Sequence, residues 1–473
     1  MGDQIKKCPN VYEAPDGGWG YFICIATILI FSLTSGFIGC FGMLYAEFIE
    51  KQEIGSAAVV LIMSTNAMSL AVAGFLTSPL LKVLKFRQLA FVASFVYNAG
   101  CVGLVFVNSI IPFFICMALL QGLGFGILFN LACTIINEYF VKRRFLAMGV
   151  VQASTAIITM IIPILLNFTL NFYGYSGTLM IVAALSMNIF VAVSLMQPVK
   201  WHMKMVKVPQ EDEEGKILLL KDQKNESDGI PTIKIVDSEP LSSIVRENIM
   251  NEENIERAIK DKDSVLKKIL KEMFDAYLLK SYLPSYACLG MIMAMFADFV
   301  TSVTLPQSLF ASNWSKEDAA FGISMMTFGD LAARLSFIVF SKYIKIENKE
   351  LHMIGIVIAI IPRIGLLLTK NVYAVLVLLC IMGTSRCFIL TLVPLIVADA
   401  VPKEKFTAAM GMFMMTFGIA SLTLGTAVGA LRDVTGSYDT IFWISIIFLV
   451  FTITHGLLET YCVKRHKKKC QKK

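Results

Sequence analysis

Charge is scarce in this sequence. Asp, Glu, Lys and Arg make up 16% of its 473 residues, 56% are hydrophobic, and the mean hydropathy is +0.69. No soluble core needs that much apolar sequence, so a globular class is excluded and a polytopic membrane protein is indicated. A cleavable signal peptide is missing too. Residues 1–18 are polar and of mixed charge, with no short apolar stretch before a small-residue cleavage motif, so the first apolar run reads as a true span. Most of the eleven cysteines lie inside apolar runs, and Cys8, Cys462 and Cys470 lie in the polar tails. No pair falls in a loop on the outer side, so disulfides are not expected. Cys462, beside a basic tail, reads as a structural or idle thiol, with palmitoylation the alternative. Metal-ligand clusters, nucleophile–base arrangements and phosphate-cradling loops are absent from the pattern. The basic runs lie at membrane edges, so nucleic acid is not expected as a partner. No enzyme activity, cofactor or metal is expected.

What is present is a set of apolar runs of bilayer length. A helix needs about 20 mostly apolar residues to cross the hydrocarbon core. That window finds Tyr21–Tyr45, Ala57–Leu80, Leu89–Val107, Ile110–Thr134, Phe145–Phe168 and Thr178–Met196, then Tyr282–Leu305, Ala319–Phe340, Leu351–Thr369, Val372–Ala398, Phe406–Val428 and Ile441–Leu458. The predicted fold class is an all-α membrane protein of twelve spans in two six-helix bundles, 19–198 and 281–459. Lys and Arg in the short loops set the orientation. One side carries Lys82, Lys85, Arg87, Lys142, Arg143, Arg144, Lys342, Lys345, Lys349, Lys403 and Lys405, and the other only Lys51, Lys316, Lys370 and Arg432. The first side is read as cytoplasmic, with both termini there. The basic tail, 460–473, agrees, since such clusters favour the anionic inner leaflet, making membrane lipid a partner.

The segment 199–280 differs from everything around it. Val199 to Ser281 holds 15 Lys plus Arg and 17 Asp plus Glu, with little aromatic density, which predicts a largely disordered cytoplasmic loop. Within it, Asn251 to Met273 has the spacing of an amphipathic helix. Asn313-Trp314-Ser315 and Asn167-Phe168-Thr169 match the glycosylation pattern on the outer side but hug the membrane; Asn225-Glu226-Ser227 matches on the cytoplasmic side and is expected to be silent.

The few charges inside the spans need a reason, since one at the centre of a membrane helix costs about 2.5–3.5 kcal/mol on insertion scales. Asp330 and Arg334 lie mid-run at i, i+4, on one helix face, where they can neutralise each other. Two readings stand: an ion pair that only joins helices, or a charged substrate site in a water-filled cavity. Arg386, Asp298 and Arg363 also fall within spans. Asn66 and Asn130 are candidates to donate to a substrate, interhelical hydrogen bonds being the alternative. His455 reads as a packed or interfacial histidine.

Order as well as type points to a family. At the head of the first span stands Pro15-Asp16-Gly17-Gly18-Trp19-Gly20-Tyr21, in which Asp16 can cap the helix start and Trp19 and Tyr21 suit the interfacial belt. After the fourth span come Tyr139-Phe140-Val141-Lys142-Arg143-Arg144-Phe145-Leu146-Ala147-Met148-Gly149 and, shortly after, Gln152-Ala153-Ser154. Gln121-Gly122-Leu123-Gly124-Phe125-Gly126 and Gly429-Ala430-Leu431-Arg432-Asp433-Val434-Thr435-Gly436 add to the pattern. The chain resembles the monocarboxylate transporter family of the major facilitator superfamily, over about residues 15 to 460. Tyr21 stands where a second Trp is usual, and Ser154 replaces a Gly.

The resemblance implies two bundles that rock about a midplane site. It implies that Arg334 grips a substrate carboxylate, that Asp330 is its counter-charge and potential proton carrier, and that Asp16, Lys142, Arg143 and Arg144 couple the halves on the cytoplasmic side. Such carriers also use a first-helix lysine. Here Gly39 stands near that position and the first span has no Lys. Arg386 is the candidate for the missing charge, Arg363 the alternative on a helix usually peripheral in this fold, and Asp298 can pair with either. The expected function is therefore secondary-active or facilitative transport of a small monocarboxylate or related organic solute across the plasma membrane, with protons a potential co-substrate. A proton-independent carrier of an amino acid, carnitine-, creatine- or hormone-like solute is the alternative, and a non-transporting nutrient sensor the second. Some relatives need a single-span glycoprotein chaperone, which enters as a potential partner.

Overall fold

The computed structural model describes residues 11–54, 56–206, 277–340, 343, 346–369 and 371–470. Asn225, the amphipathic stretch 251–273 and most of the loop lie outside them. Eleven helices among the described residues are long and apolar enough to cross a bilayer. One of these, Arg144–Leu195, is broken at Gly174, whose φ of 65° and ψ of −174° no helix accommodates, so twelve membrane-length segments result. In chain order they are α1 (Gly20–Gly39), α2 (Ser56–Leu80), α3 (Phe86–Val105), α4 (Ile110–Tyr139), α5 (144–173), α6 (175–195), α7 (Met291–Ala311), α8 (Lys316–Phe340), α9 (Asn348–Leu368), α10 (Val372–Ala400), α11 (Phe406–Thr435) and α12 (Asp439–Cys470).

Several ends differ from the apolar windows. Helices α11 and α12 run on to Thr435 and Cys470 because a helix pairs its own backbone groups and need not stop where the apolar run does. The outer end of α1 breaks into two short helices, Phe41–Leu44 and Ala46–Lys51. The start of the long loop, expected to be unstructured, makes a helical turn at Val199–Trp201 and a strand, β2 (Lys204–Val206), antiparallel to β1 (Val11–Glu13). Trp19 fastens this corner: its indole N–H donates to the Leu195 carbonyl (3.1 Å), and its ring stacks on His202 at 5.2 Å.

The two halves, α1–α6 and α7–α12, meet through α2 against α11 and α5 against α8. The contact is graded along the helices. At the end that carries the basic loops, a Cβ on Gly411 would lie 2.5 Å from the Gly74 carbonyl oxygen, so only glycine lets α11 approach α2 there. Further along, Gly418 faces Ala71, but among the described residues Gly425 and Gly429 have no neighbour within 4 Å of an added Cβ. The two helices thus touch at the basic end and part toward the other. Between α5 and α8, Phe145 packs on Phe337 (ring centroids 5.5 Å apart) and Gly149 faces Ile338, again toward the basic end.

Candidate substrate site

The charges of the membrane core all come from one half. The apolar runs of the first half contain no Asp, Glu, Lys or Arg, whereas those of the second hold Asp298, Asp330, Arg334, Arg363 and Arg386. Two carboxylates face three guanidinium groups, leaving one positive charge in surplus. The structure sorts them into two clusters.

The first sits on α8. Gly329 and Gly383 let α8 and α10 approach until each would clash with the other helix's backbone if it bore a Cβ, which brings the next turn of α8 against α10. Arg334 Nε donates to Asp330 Oδ2 at 3.0 Å, the i, i+4 pair that the spacing implies. Arg334 Nη1 donates to Gln152 Oε1 of α5 (3.1 Å) and to Thr391 Oγ1 of α10 (3.4 Å). The side chains of Arg334 and Asp330 are 8% and 16% exposed, and Asp330 Oδ1 is buried without a hydrogen-bond partner. Cys387, one turn before Thr391, places its thiol 3.7 Å from the Thr391 hydroxyl.

The second cluster joins α7, α9 and α10. Asp298 lies between Arg363 (Oδ1–Nη2 3.5 Å) and Arg386 (Oδ2–Nε 3.7 Å). Arg363 is wholly buried and also donates to Ser445 Oγ and the Ala359 carbonyl, both at 2.8 Å. Arg386 donates to Ser302 Oγ (2.8 Å), but a third of its side chain is exposed. Arg363 is thus the structural partner of Asp298, and Arg386 is the cation with surface left for another anion. The sequence favours Arg386 over Arg363 only through the resemblance, in which the ninth helix is peripheral; composition alone does not separate the two.

The two asparagines lie elsewhere. Asn66 donates to the Met117 carbonyl (2.7 Å), within the π-helical turn Ile115–Gln121 of α4, where altered backbone pairing leaves carbonyl groups to be satisfied. Asn130 is fully buried at the seam, donating to the Gly74 carbonyl of α2 (2.8 Å) and the Thr407 carbonyl of α11 (3.1 Å). Thr134, one turn on, meets the Thr407 hydroxyl at 3.0 Å. In this conformation both amides donate to neighbouring helices, and neither joins the Arg334 cluster as a substrate contact.

The signature at the chain's start also corrects an expectation. Asp16 does not cap α1. Its Oδ1 accepts from the backbone N–H groups of Val141, Lys142 and Arg143 (2.8, 2.9 and 3.3 Å), so it caps α5 from over a hundred residues away. A left-handed backbone at Asp16 (φ 45°) aims the side chain there. Arg144, thus placed, reaches Asp399 of the second half at 3.6 Å, and Asn348 donates to the same carboxylate at 2.6 Å. The structure so brings Asp16 to the backbone of Val141, Lys142 and Arg143, and Arg144 to Asp399 across the seam. His455 faces the Pro284 carbonyl at 3.1 Å, a packing contact between α12 and the approach to α7. Sequence spacing does not single out Gln152 as a site residue. The signal for it is a polar side chain deep in a half whose spans carry no charge.

Comparison with known proteins follows the same outline. The family model described as Major Facilitator Superfamily matches residues 23–251 and 287–469. Monocarboxylate transporter 9 of Gallus gallus is 24% identical over 92% of this chain and 91% of its own length. Monocarboxylate transporter 1 of Bos taurus is 23% identical over 93% and 85%. Among solved structures, the transporter FucP in the outward conformation superposes with a TM-score of 0.63 at 13% identity, covering 93% of this chain and 98% of FucP. The proton:xylose symporter XylE, bound to 6-bromo-6-deoxy-D-glucose, gives 0.60 at 12% identity over 92% and 94%.

Proposed function

We propose that this chain, which belongs to the Major Facilitator Superfamily and is a multi-pass membrane transporter, carries a small organic carboxylate across the plasma membrane by alternating access between its halves. The observation that carries this reading is the state of Arg334. It is a cation in the membrane core, held by Asp330 through one nitrogen only, and it turns its other end toward the opposite half. A guanidinium offers a planar fork of donors that suits a carboxylate better than any neutral group does. The relatives' name supports the same substrate class. With the basic end cytoplasmic, the seam closed there and parted at the other end corresponds to an outward-facing state, and Asp16, Lys142, Arg143 and Arg144 form its cytoplasmic latch.

Asp330 has two tasks in this reading. In the empty carrier it keeps Arg334 neutralised and aimed. Its unpartnered Oδ1 is the place for a proton that travels with the anion. Carboxylate and proton then cross together.

A second reading is supported by the surplus charge at Asp298, Arg363 and Arg386. One monoanion brings the core to neutrality without any proton, because arginine stays charged. The two readings separate in one experiment: uptake of a labelled carboxylate by expressing cells at outside pH 6 and pH 8, with the anion concentration fixed. Faster uptake at pH 6, with cytoplasmic acidification, is the symport result; equal rates and no acidification identify uncoupled carriage. Absence of uptake for every carboxylate in a panel that includes pyruvate, an aromatic keto acid and a betaine contradicts the substrate class.

A further inference from the structure

Arg334 and Gln152 meet across the α5–α8 seam, on the side of Phe145 and Gly149 away from the basic end. Below them toward the basic end the seam is apolar, with Gly149 facing Ile338 and Phe145 on Phe337. Gln152 spends its Oε1 on Arg334 Nη1 at 3.1 Å. Its own amide hydrogens make no hydrogen bond among the described residues, and the side chain is only half-buried. On the other side of the contact, Arg334 Nε belongs to Asp330 and Nη1 is shared by Gln152 and Thr391, while Nη2 donates to nothing among the described residues. Free donors on two halves of the molecule therefore converge on one place.

We infer that Gln152 is the first half's carboxylate ligand. This deepens the proposed carboxylate reading and rests on it. The chemistry follows from what each partner of Arg334 costs to displace. Moving Asp330 off Nε breaks a charge–charge contact in a poorly screened site; moving the Gln152 carbonyl off Nη1 breaks a charge–dipole contact only. The carboxylate enters on the cheaper side. One of its oxygens accepts from Arg334 Nη2 and the other from the Gln152 amide, whose N–H groups replace its carbonyl at the junction. The cargo then bridges α5 and α8, so the half that brings no charge still senses the anion.

The test works with a generic carboxylate, whatever the physiological cargo. Purified full-length protein is treated with phenylglyoxal, which modifies arginine, and modification at Arg334 is followed by mass spectrometry with and without benzoate as the carboxylate probe. Benzoate is expected to slow modification of Arg334 in the wild type. In Gln152→Leu the benzoate concentration needed is expected to rise about 10- to 100-fold, the range for losing one hydrogen bond to a charged group. In Gln152→Glu, Arg334 is expected to be shielded without benzoate, because a carboxylate already occupies Nη1. Gln152→Met, of similar length, repeats the first variant should leucine perturb packing. Equal benzoate protection in the wild type and both neutral variants overturns the assignment of Gln152 while leaving the Arg334 site intact. Absence of protection in the wild type overturns the carboxylate reading itself and this inference with it.

Discussion

Arg363 and Arg386 share the carboxylate of Asp298 but differ in what its loss would do to them. Arg363 has no exposed surface, so removing its counter-charge strands a cation in the protein interior. Breaking a buried pair in this way costs about 3–5 kcal/mol. Asp298→Asn is expected to lower the melting temperature of the detergent-purified protein sharply, as read by a thermal unfolding scan. Arg386→Met is expected to leave that temperature nearly unchanged, because Asp298 and Arg363 remain a one-to-one pair. It is also expected to weaken uptake of an anionic cargo. A variant pair that behaves the other way round would place the surplus charge on Arg363. At this scale the sequence was legible only in part. Asp330 and Arg334 were readable because i, i+4 spacing fixes their contact within one helix. The partners of Asp298, Asn66, Asn130 and Gln152 come from other helices, and no local pattern encodes which helices meet.

In the proposed cycle the two halves move against each other, so the seam between them is where the cycle is set. Asn130 and Thr134 make three hydrogen bonds that involve Thr407 or span α2 to α4, two of them crossing between halves through Thr407. Each is worth about 1 kcal/mol net. Asn130→Leu removes two, and it removes the buried Oδ1 that already lacks a partner. Gly411→Val drives a side chain into the Gly74 carbonyl. Both substitutions are expected to open the basic end, Gly411→Val more strongly. The measurement is the distance between spin labels at Lys82 and Lys403, which should lengthen in both variants relative to the parent. An unchanged distance would mean that the α2–α11 contact does not hold this state. The existence of these helices was plain from hydropathy, since a bilayer demands about 20 apolar residues whatever the fold. Their ends were not. Gly174 breaks α5 from α6 at a single residue where the apolar windows left a nine-residue gap, and the polar reach of α12 to Cys470 carries no hydropathy signal.

For the molecule as a whole, the division of labour is the main structural result. One half supplies all the charged groups of the membrane core and the other supplies packing, glycines and a single amide at the junction with Arg334. Motifs at the head of α1 and the α4–α5 loop revealed the family from sequence because their residue order is fixed by a specific tertiary contact: Asp16 must reach three amides at the start of α5. The same motifs are silent on cargo, because the residues of the proposed site lie outside them, on α5, α8 and α10. Asp16→Ala should therefore impair the transporter without altering which cargo it takes. Uptake is expected to fall in rate, with the relative order of competing carboxylates unchanged; a changed order would make Asp16 part of the substrate site. The most direct measurement of the central claim is uptake of labelled carboxylates by cells expressing Arg334→Ala, normalised to the amount of protein at the surface. Loss of uptake by about 10- to 100-fold or more, with surface expression preserved, is the expected result for a fixed cation that grips the cargo. Uptake at the parent rate in that variant would contradict it.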